Sequence, residues 1–180
     1  MGKQEEEKYY PKVRKALENH FQNKGFSGDF KVIGRKKSLV RQFLPENSKL
    51  LRDVRPLPTP DIMGFIWKQP QQKRKLVIAE FKLSPTFMDI FQTKGYDELF
   101  NSDCTFLLSL KSVSESSKVS IRTIDFIRQN PDLLRTKLGK SRIYIKFLHE
   151  TREGTITLAV RADELDLPDE DIELLFLGDE

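Results

Sequence analysis

The chain has 180 residues, of which 38% are hydrophobic and 32% charged, a composition typical of a folded globular domain and not of a disordered chain. No apolar run is long enough to cross a membrane, and the first residues lack the apolar core of a signal peptide, so we expect a cytoplasmic protein with no membrane partner. The single cysteine, Cys104, excludes an internal disulfide and any cysteine-ligated zinc or iron–sulfur site within one chain.

Charge is distributed unevenly, although the formal net charge is only +4. Residues 162–180 hold nine acidic side chains and no Lys or Arg, so residues 1–161 hold all 31 basic and the other 18 acidic side chains, an excess of +13. A body this basic fits a polyanion such as nucleic acid, because phosphate contacts by Lys and Arg release counterions. An ordinary solvated surface is the alternative, and the acidic tail either shields the body or only adds solubility.

The first third of the chain predicts a helix and two short strands. Apolar residues recur at helical spacing within residues 8–24, and Gly25 supplies a stop; the stripe consists of Val13, Ala16, Leu17 and Phe21. Residues 29–34 and 38–44 are short apolar segments that predict strands. Residues 45–60 are rich in proline, which predicts an irregular loop.

The middle of the chain predicts a hairpin, a helix and a buried strand. Residues 61–67 and 75–83 are apolar segments joined by the turn sequence QPQQKR. Residues 85–100 predict a helix that begins at Pro85. Residues 104–110, CTFLLSL, form a continuous apolar run that is typical of a strand buried on both faces.

The last third predicts two helices, at residues 117–129 and 131–138, and a hairpin formed by residues 142–150 and 155–161. The alternation of helices and strands predicts an α/β fold with a central mixed sheet flanked by helices. We expect a single domain over residues 1–161, with a core at about residues 8–110 and an extension over 111–161, followed by the acidic tail 162–180.

Two carboxylates stand in the predicted hairpin, where apolar side chains are expected. If the hairpin turns about the Pro70–Gln71 bond, Asp61 faces Glu80, and Lys82 lies on the same face as Glu80. Directly opposed Cβ atoms are about 4.5–5.5 Å apart, so both carboxylates can reach one ion. Opposed like charges are destabilising unless compensated, and Mg²⁺ or Mn²⁺ is a natural compensator. The alternatives are carboxylates that turn to solvent, or a simple ion pair with Lys82.

At these residues the sequence resembles the PD-(D/E)XK nuclease superfamily. The resemblance consists of Pro60-Asp61 followed after 18 residues by Glu80-Phe81-Lys82, and of the helix–strands–helix–strand order over roughly residues 8–110. Glu18 on the first helix matches an acid that many members place near the metal. Gln92 and Tyr96 match the Gln-x-x-x-Tyr motif of the RecB-like branch, and their spacing places both on one face of a helix.

The resemblance implies a restriction-endonuclease-like core and a Mg²⁺- or Mn²⁺-dependent deoxyribonuclease. Asp61, Glu80 and the backbone carbonyl of Phe81 would ligate the ion, with Glu18 as a further ligand. Lys82 would orient a water or stabilise charge on the phosphate, and Gln92 and Tyr96 would position the nucleic-acid strand or support the metal ligands.

The resemblance also implies that basic side chains grip backbone phosphates. The candidates are Arg35, Lys36, Lys37, Arg52, Arg55, Lys73, Arg74 and Lys75. DNA is the expected partner, in repair, recombination or restriction. We expect the protein in the cytoplasm or at the nucleoid. Cutting both strands would favour a homodimer. The alternatives are a nuclease-like binding module without cleavage, and a structural protein in which Arg52 or Arg55 pairs with the acids.

Overall fold

The computed structural model of the protein describes residues 3–34, 36–44, 58–70, 73–83, 85–110, 129–130, 133 and 143–158. The predictions for the two helices after residue 116 lie almost entirely outside these residues. Those for Arg52, Arg55 and the acidic tail lie wholly outside them.

Helices and strands alternate along the described chain. The elements are α1 (Lys3–Glu7), α2 (Tyr10–Asn23), β1 (Ser27–Val32), α3 (Lys37–Val40), a 3-10 turn (Arg41–Phe43), β2 (Ile62–Trp67), β3 (Lys75–Lys82), α4 (Phe87–Phe100), β4 (Cys104–Ser109), β5 (Ile143–Glu150) and β6 (Ile156–Leu158). None of the helices within the described ranges has the length and apolar character needed to span a bilayer.

The described strands form one mixed sheet in chain order, from β1 at one edge to β6 at the other. β1, β2 and β3 are antiparallel neighbours, β3, β4 and β5 are parallel, and β6 returns antiparallel to β5. The predicted α/β class with a mixed sheet is therefore confirmed. The helix between β3 and β4 makes the crossover that a parallel pair requires.

One face of the sheet is covered by α2. The predicted stripe is fully buried, with Val13, Leu17 and Phe21 at 0% exposure, and Gly25 ends the helix region with a φ of +80°. The stripe packs on alternate strand residues, including Phe30, Ile62, Phe81 and Phe106. Burial of each such side chain contributes about 1.5–3 kcal/mol, which accounts for the position of α2 on the sheet.

The opposite face of the sheet packs against α4. Tyr96 and Phe100 of this helix join Met63 and Ile78 of the hairpin in a second apolar cluster. Thr86 and Asp89 form a capping box that fixes where α4 begins, so the helix starts after Thr86 and not at Pro85.

Two local predictions need correction. Residues 38–44 are helical and not a strand, because the buried residues Val40, Phe43 and Leu44 recur at helical rather than alternating spacing. The short helix α1 was not predicted, since its sequence KQEEE has no apolar periodicity.

Candidate metal and catalytic site

The predicted register of the β2–β3 hairpin is confirmed and brings Asp61 and Glu80 together. Met63 pairs with Ile78 and Ile62 with Ala79, and the next positions outward are the two acids. The backbone N–H of Asp61 donates to Glu80 Oε2 at 3.3 Å, and the backbone N–H of Phe81 donates to Asp61 Oδ2 at 3.0 Å. Each carboxylate is thus held by the backbone beside the other.

Both carboxylates are buried, Asp61 at 0% and Glu80 at 1% exposure. The backbone of Asp61 is also fixed, because its carbonyl accepts hydrogen bonds from the N–H groups of Ile33 at 2.8 Å and Gly34 at 3.2 Å. Removal of two neighbouring anions from water is unfavourable unless positive charge and hydrogen-bond donors surround them.

Lys82 supplies positive charge at this place. Its Nζ lies 3.0 Å from Glu80 Oε1 and 3.8 Å from both Glu6 Oε2 and Asp89 Oδ1. Burial lowers the pKa of Lys82, but the charge of Glu80 and its hydrogen bond, with smaller contributions from Asp61 and Glu6, raise the pKa above its usual range. The side chain is therefore a fixed ammonium group at neutral pH.

Gln92 and Tyr96 lie on one face of α4, as their spacing predicted, and Gln92 contacts Glu80. Gln92 Nε2 donates to Glu80 Oε1 at 3.0 Å and to the Tyr96 hydroxyl at 2.7 Å. The Tyr96 hydroxyl donates to the Thr59 carbonyl at 3.4 Å. Burial, together with the charge of Glu80, raises the pKa of Tyr96 to about 12, so this hydroxyl keeps its proton.

Solvent reaches this cluster at its α4 side. Glu80 and Asp61 are buried, whereas Gln92 is exposed and Lys82 is partly exposed. The amide of Gln92 and the ammonium of Lys82 therefore lie between Glu80 and the solvent.

Three residues at this site were missed by sequence reasoning. Glu6 of α1 bonds Lys82 and also accepts a hydrogen bond from the Leu83 N–H at 3.4 Å, yet within the run EEE it reads as a solvated acid. Asp89 accepts hydrogen bonds from Thr86, and the Thr-x-x-Asp pattern was the signal that could have identified it.

The third missed residue is Tyr10, for which the sequence indicated only a position near the start of a helix. It is buried against Phe81, with ring centroids 6.3 Å apart. Burial raises its pKa, and the nearby Asp61 carboxylate raises it further. The Asp61 contribution includes a hydrogen bond between the two side chains.

Glu18 does not join the acid pair. It lies about 12 Å further along α2 than Tyr10 and forms an ion pair with Arg14, with 3.6 Å between Nε and Oε1. Within the described ranges, no three His, Cys, Asp or Glu side chains are grouped closely enough to hold a metal ion by themselves.

The basic candidates fall at opposite ends of the sheet. Lys36 is exposed. It lies at the end of the sheet where Asp61 lies, because its backbone N–H donates to the Ile33 carbonyl and the Ile33 N–H donates to the Asp61 carbonyl. Lys73, Arg74 and Lys75 lie at the hairpin end, about 20 Å along the strand from Glu80.

The individual environments of these basic residues also differ. Arg74 lies over the ring of Trp67, 5.3 Å from its centroid. Lys75 is 8% exposed and its Nζ is 3.8 Å from Asp103 Oδ1, so it offers little surface to a phosphate. Arg35 and the side chain of Lys37 lie outside the described residues.

No protein-family model matches the chain, and no curated protein is significantly similar to it in sequence. The geometry of the site is therefore the evidence from which function is inferred.

Proposed function

We propose that the protein is a divalent-metal-dependent nuclease that hydrolyses phosphodiester bonds in DNA, with a core of the PD-(D/E)XK type. The observation that carries the proposal is the connected cluster of Asp61, Glu80, Lys82, Gln92 and Tyr96, in which all five residues are linked by hydrogen bonds or ion pairs at one end of the sheet. The order of helix, antiparallel strands, helix and parallel strand agrees with the core that the resemblance implies.

The residues fit a divalent cation in both chemistry and charge. Carboxylate oxygens are the ligands that Mg²⁺ and Mn²⁺ prefer. Among the described residues, Glu6, Glu80 and Asp89 all contact the ammonium of Lys82, and Asp61 lies directly beside Glu80. A divalent cation between the two neighbouring carboxylates would reduce their mutual repulsion.

The ligands we assign are Asp61, Glu80 and the backbone carbonyl of Phe81. The Phe81 N–H faces Asp61, and the N–H and carbonyl of one strand residue point to the same side, so its carbonyl faces the acid pair as well. A divalent cation bound there supplies Lewis-acid stabilisation of phosphate charge and makes water a stronger nucleophile.

The chain's own residues then orient the reactants. Lys82, which stays protonated, stabilises negative charge that grows on the phosphate oxygens as water attacks phosphorus in line and the P–O bond breaks. Gln92 holds Glu80 Oε1 in place, and Tyr96 holds Gln92. Lys36 lies near enough to this end of the sheet to contact a neighbouring phosphate.

A plasmid-nicking assay with Mg²⁺, Mn²⁺ or EDTA tests the proposal. We expect cleavage with either metal, none in EDTA, and a loss of about 1,000-fold in rate for Glu80→Gln, which removes a charged ligand but keeps the side-chain shape. Glu153→Gln, in an exposed turn between β5 and β6, is the matched control and should cut like the wild type. Binding without cleavage by the wild type would instead support a non-catalytic binding module.

A further inference from the structure

An exposed apolar stripe runs along α4 beside the candidate site. Met88 is 70% exposed and Phe91 is 46% exposed, and they are the large hydrophobic residues that stand most open to solvent in the described chain. Phe87 packs edge-to-face on Phe91, with ring centroids 4.9 Å apart. Single exposed apolar residues are ordinary, but Met88 and Phe91, with the partly buried Phe87 beside them, form a patch that needs an explanation.

Gly95 lies on the same exposed face, one turn after Phe91. Glycine inside a helix is less stable than alanine, so a helix-interior glycine usually serves packing or close approach of another group. Packing does not require it, because a Cβ at Gly95 would meet no atom within 4 Å in the part of the chain that the structure describes. Gly95 therefore leaves a flat, side-chain-free place on the stripe.

The stripe is continuous with the candidate site. Successive residues of a helix are rotated by about 100° around its axis, so Met88 lies between Phe91 on one side and Gln92 on the other. Gln92 donates to Glu80, so this border of the stripe adjoins the acid cluster. Lys94 lies on the opposite border, beside Phe91 and Phe87, and Glu98 follows the stripe one turn later.

We propose that the stripe formed by Phe87, Met88, Phe91 and Gly95 binds unpaired nucleobases next to the phosphate that is cut. The proposal rests on the nuclease function and specifies its substrate as nucleic acid with a single-stranded segment. Exposed aromatic rings accept stacked bases of any sequence, and a neighbouring cation contacts the backbone between them. Gly95 allows a base to lie close to the helix, and Lys94 provides the cation.

Binding in EDTA separates this proposal from catalysis. Fluorescence anisotropy would compare a labelled single-stranded oligonucleotide with a blunt hairpin duplex for the full chain and its variants. We expect Phe91→Ala to weaken single-strand binding by about 5- to 150-fold, the effect of losing one stacked base, with a much smaller effect on the duplex. Phe91→Trp should retain single-strand binding.

Gly95→Ala distinguishes a binding role from a structural one. The variant should unfold at a higher temperature, because alanine favours the helix, and yet bind the single strand less tightly than the wild type. Unchanged single-strand binding by both Phe91→Ala and Gly95→Ala, or a wild type that prefers the duplex, would overturn the proposal and leave a protein segment as the occupant. Cleavage measured in parallel with Mg²⁺ shows separately whether the nuclease function holds.

Discussion

A buried carboxylate lies beside each end of α4, but the two carboxylates have different surroundings. Near the C-terminal end, Asp97 Oδ1 accepts hydrogen bonds from the hydroxyls of Ser102 and Thr105, the latter at 2.6 Å. Ser102 lies in the connection after α4, and Thr105 lies at the start of β4. Near the N-terminal end, the cluster around Glu80 gathers residues from α1, β2, β3 and α4 and places acids beside one another.

The difference distinguishes a carboxylate that stabilises the fold from one that we propose takes part in catalysis. Hydroxyl donors satisfy Asp97 without bringing in a second anion, so its burial contributes to stability. Among the described residues, the Glu80 cluster places several acids around the ammonium of Lys82, and like charges held close together cost stability unless other groups compensate them. A sequence keeps such an arrangement where function requires it.

A large effect on the cleavage rate is expected at Lys82, as at Glu80. Lys82→Ala should lower the cleavage rate by about 100- to 1,000-fold, the usual cost of losing one group that stabilises transition-state charge. Lys24→Ala, at the far end of α2, is the control and should leave the rate unchanged. Plasmid nicking measures both rates, and a Lys82→Ala variant that cuts at the wild-type rate would contradict the role assigned to the ammonium.

The comparison of the two carboxylates predicts opposite responses to substitution. Asp97→Ala should lower the free energy of unfolding by about 2–3 kcal/mol, because two buried hydroxyls lose their acceptor, while the folded fraction still cuts DNA. Glu80→Gln should change the free energy of unfolding by less than about 1 kcal/mol. Urea denaturation measures both, and a larger loss at Glu80 than at Asp97 would reverse the assignment.

Tyr96 should make the free energy of unfolding fall as the pH rises above about 10. The pKa of Tyr96 rises from 10.0 to about 12 in the folded chain, so its contribution is complete below pH 10 and is lost as the pH rises toward 12. Lys82, whose folded pKa is also raised, has the same sign. When the pH rises from 9 to 11, the free energy of unfolding should fall by about 1 kcal/mol less for Tyr96→Phe than for the wild type. Urea denaturation at the two pH values measures this difference. Equal losses would show that Tyr96 is not perturbed.

The smallest effects concern the two helix acids. Glu6→Gln should lower the cleavage rate about fivefold, since Lys82 loses one of its carboxylate partners, whereas Glu18→Gln should have no effect. The same nicking assay compares the two isosteric substitutions. A larger loss for Glu18→Gln would restore that residue as the metal ligand that the resemblance implied.

Much of the site could be predicted because its residues lie on regular elements. The hairpin sequence determined the register that pairs Met63 with Ile78, and Asp61 and Glu80 followed from it. The four-residue spacing of Gln92 and Tyr96 placed both on the face of α4 that reaches Glu80.

What could not be predicted depends on contacts between distant segments. Glu6 reaches Lys82 only because α1 lies beside the end of β3, and no local pattern in KQEEE indicates this. Glu18 has the residue type that the resemblance requires but lies too far along α2. Residues 38–44 were wrongly predicted as a strand, because a short apolar segment fits both a helix and a strand unless the spacing of its apolar residues is considered.

The central claim is that Asp61 and Glu80 together hold a divalent ion, and a crystal soaked in Mn²⁺ tests it most directly. We predict an anomalous-scattering peak between the two carboxylates, in contact with the Phe81 carbonyl and absent from crystals of Glu80→Gln. A soaked wild-type crystal with no peak there, and with Lys82 still paired to Glu80, would contradict the claim.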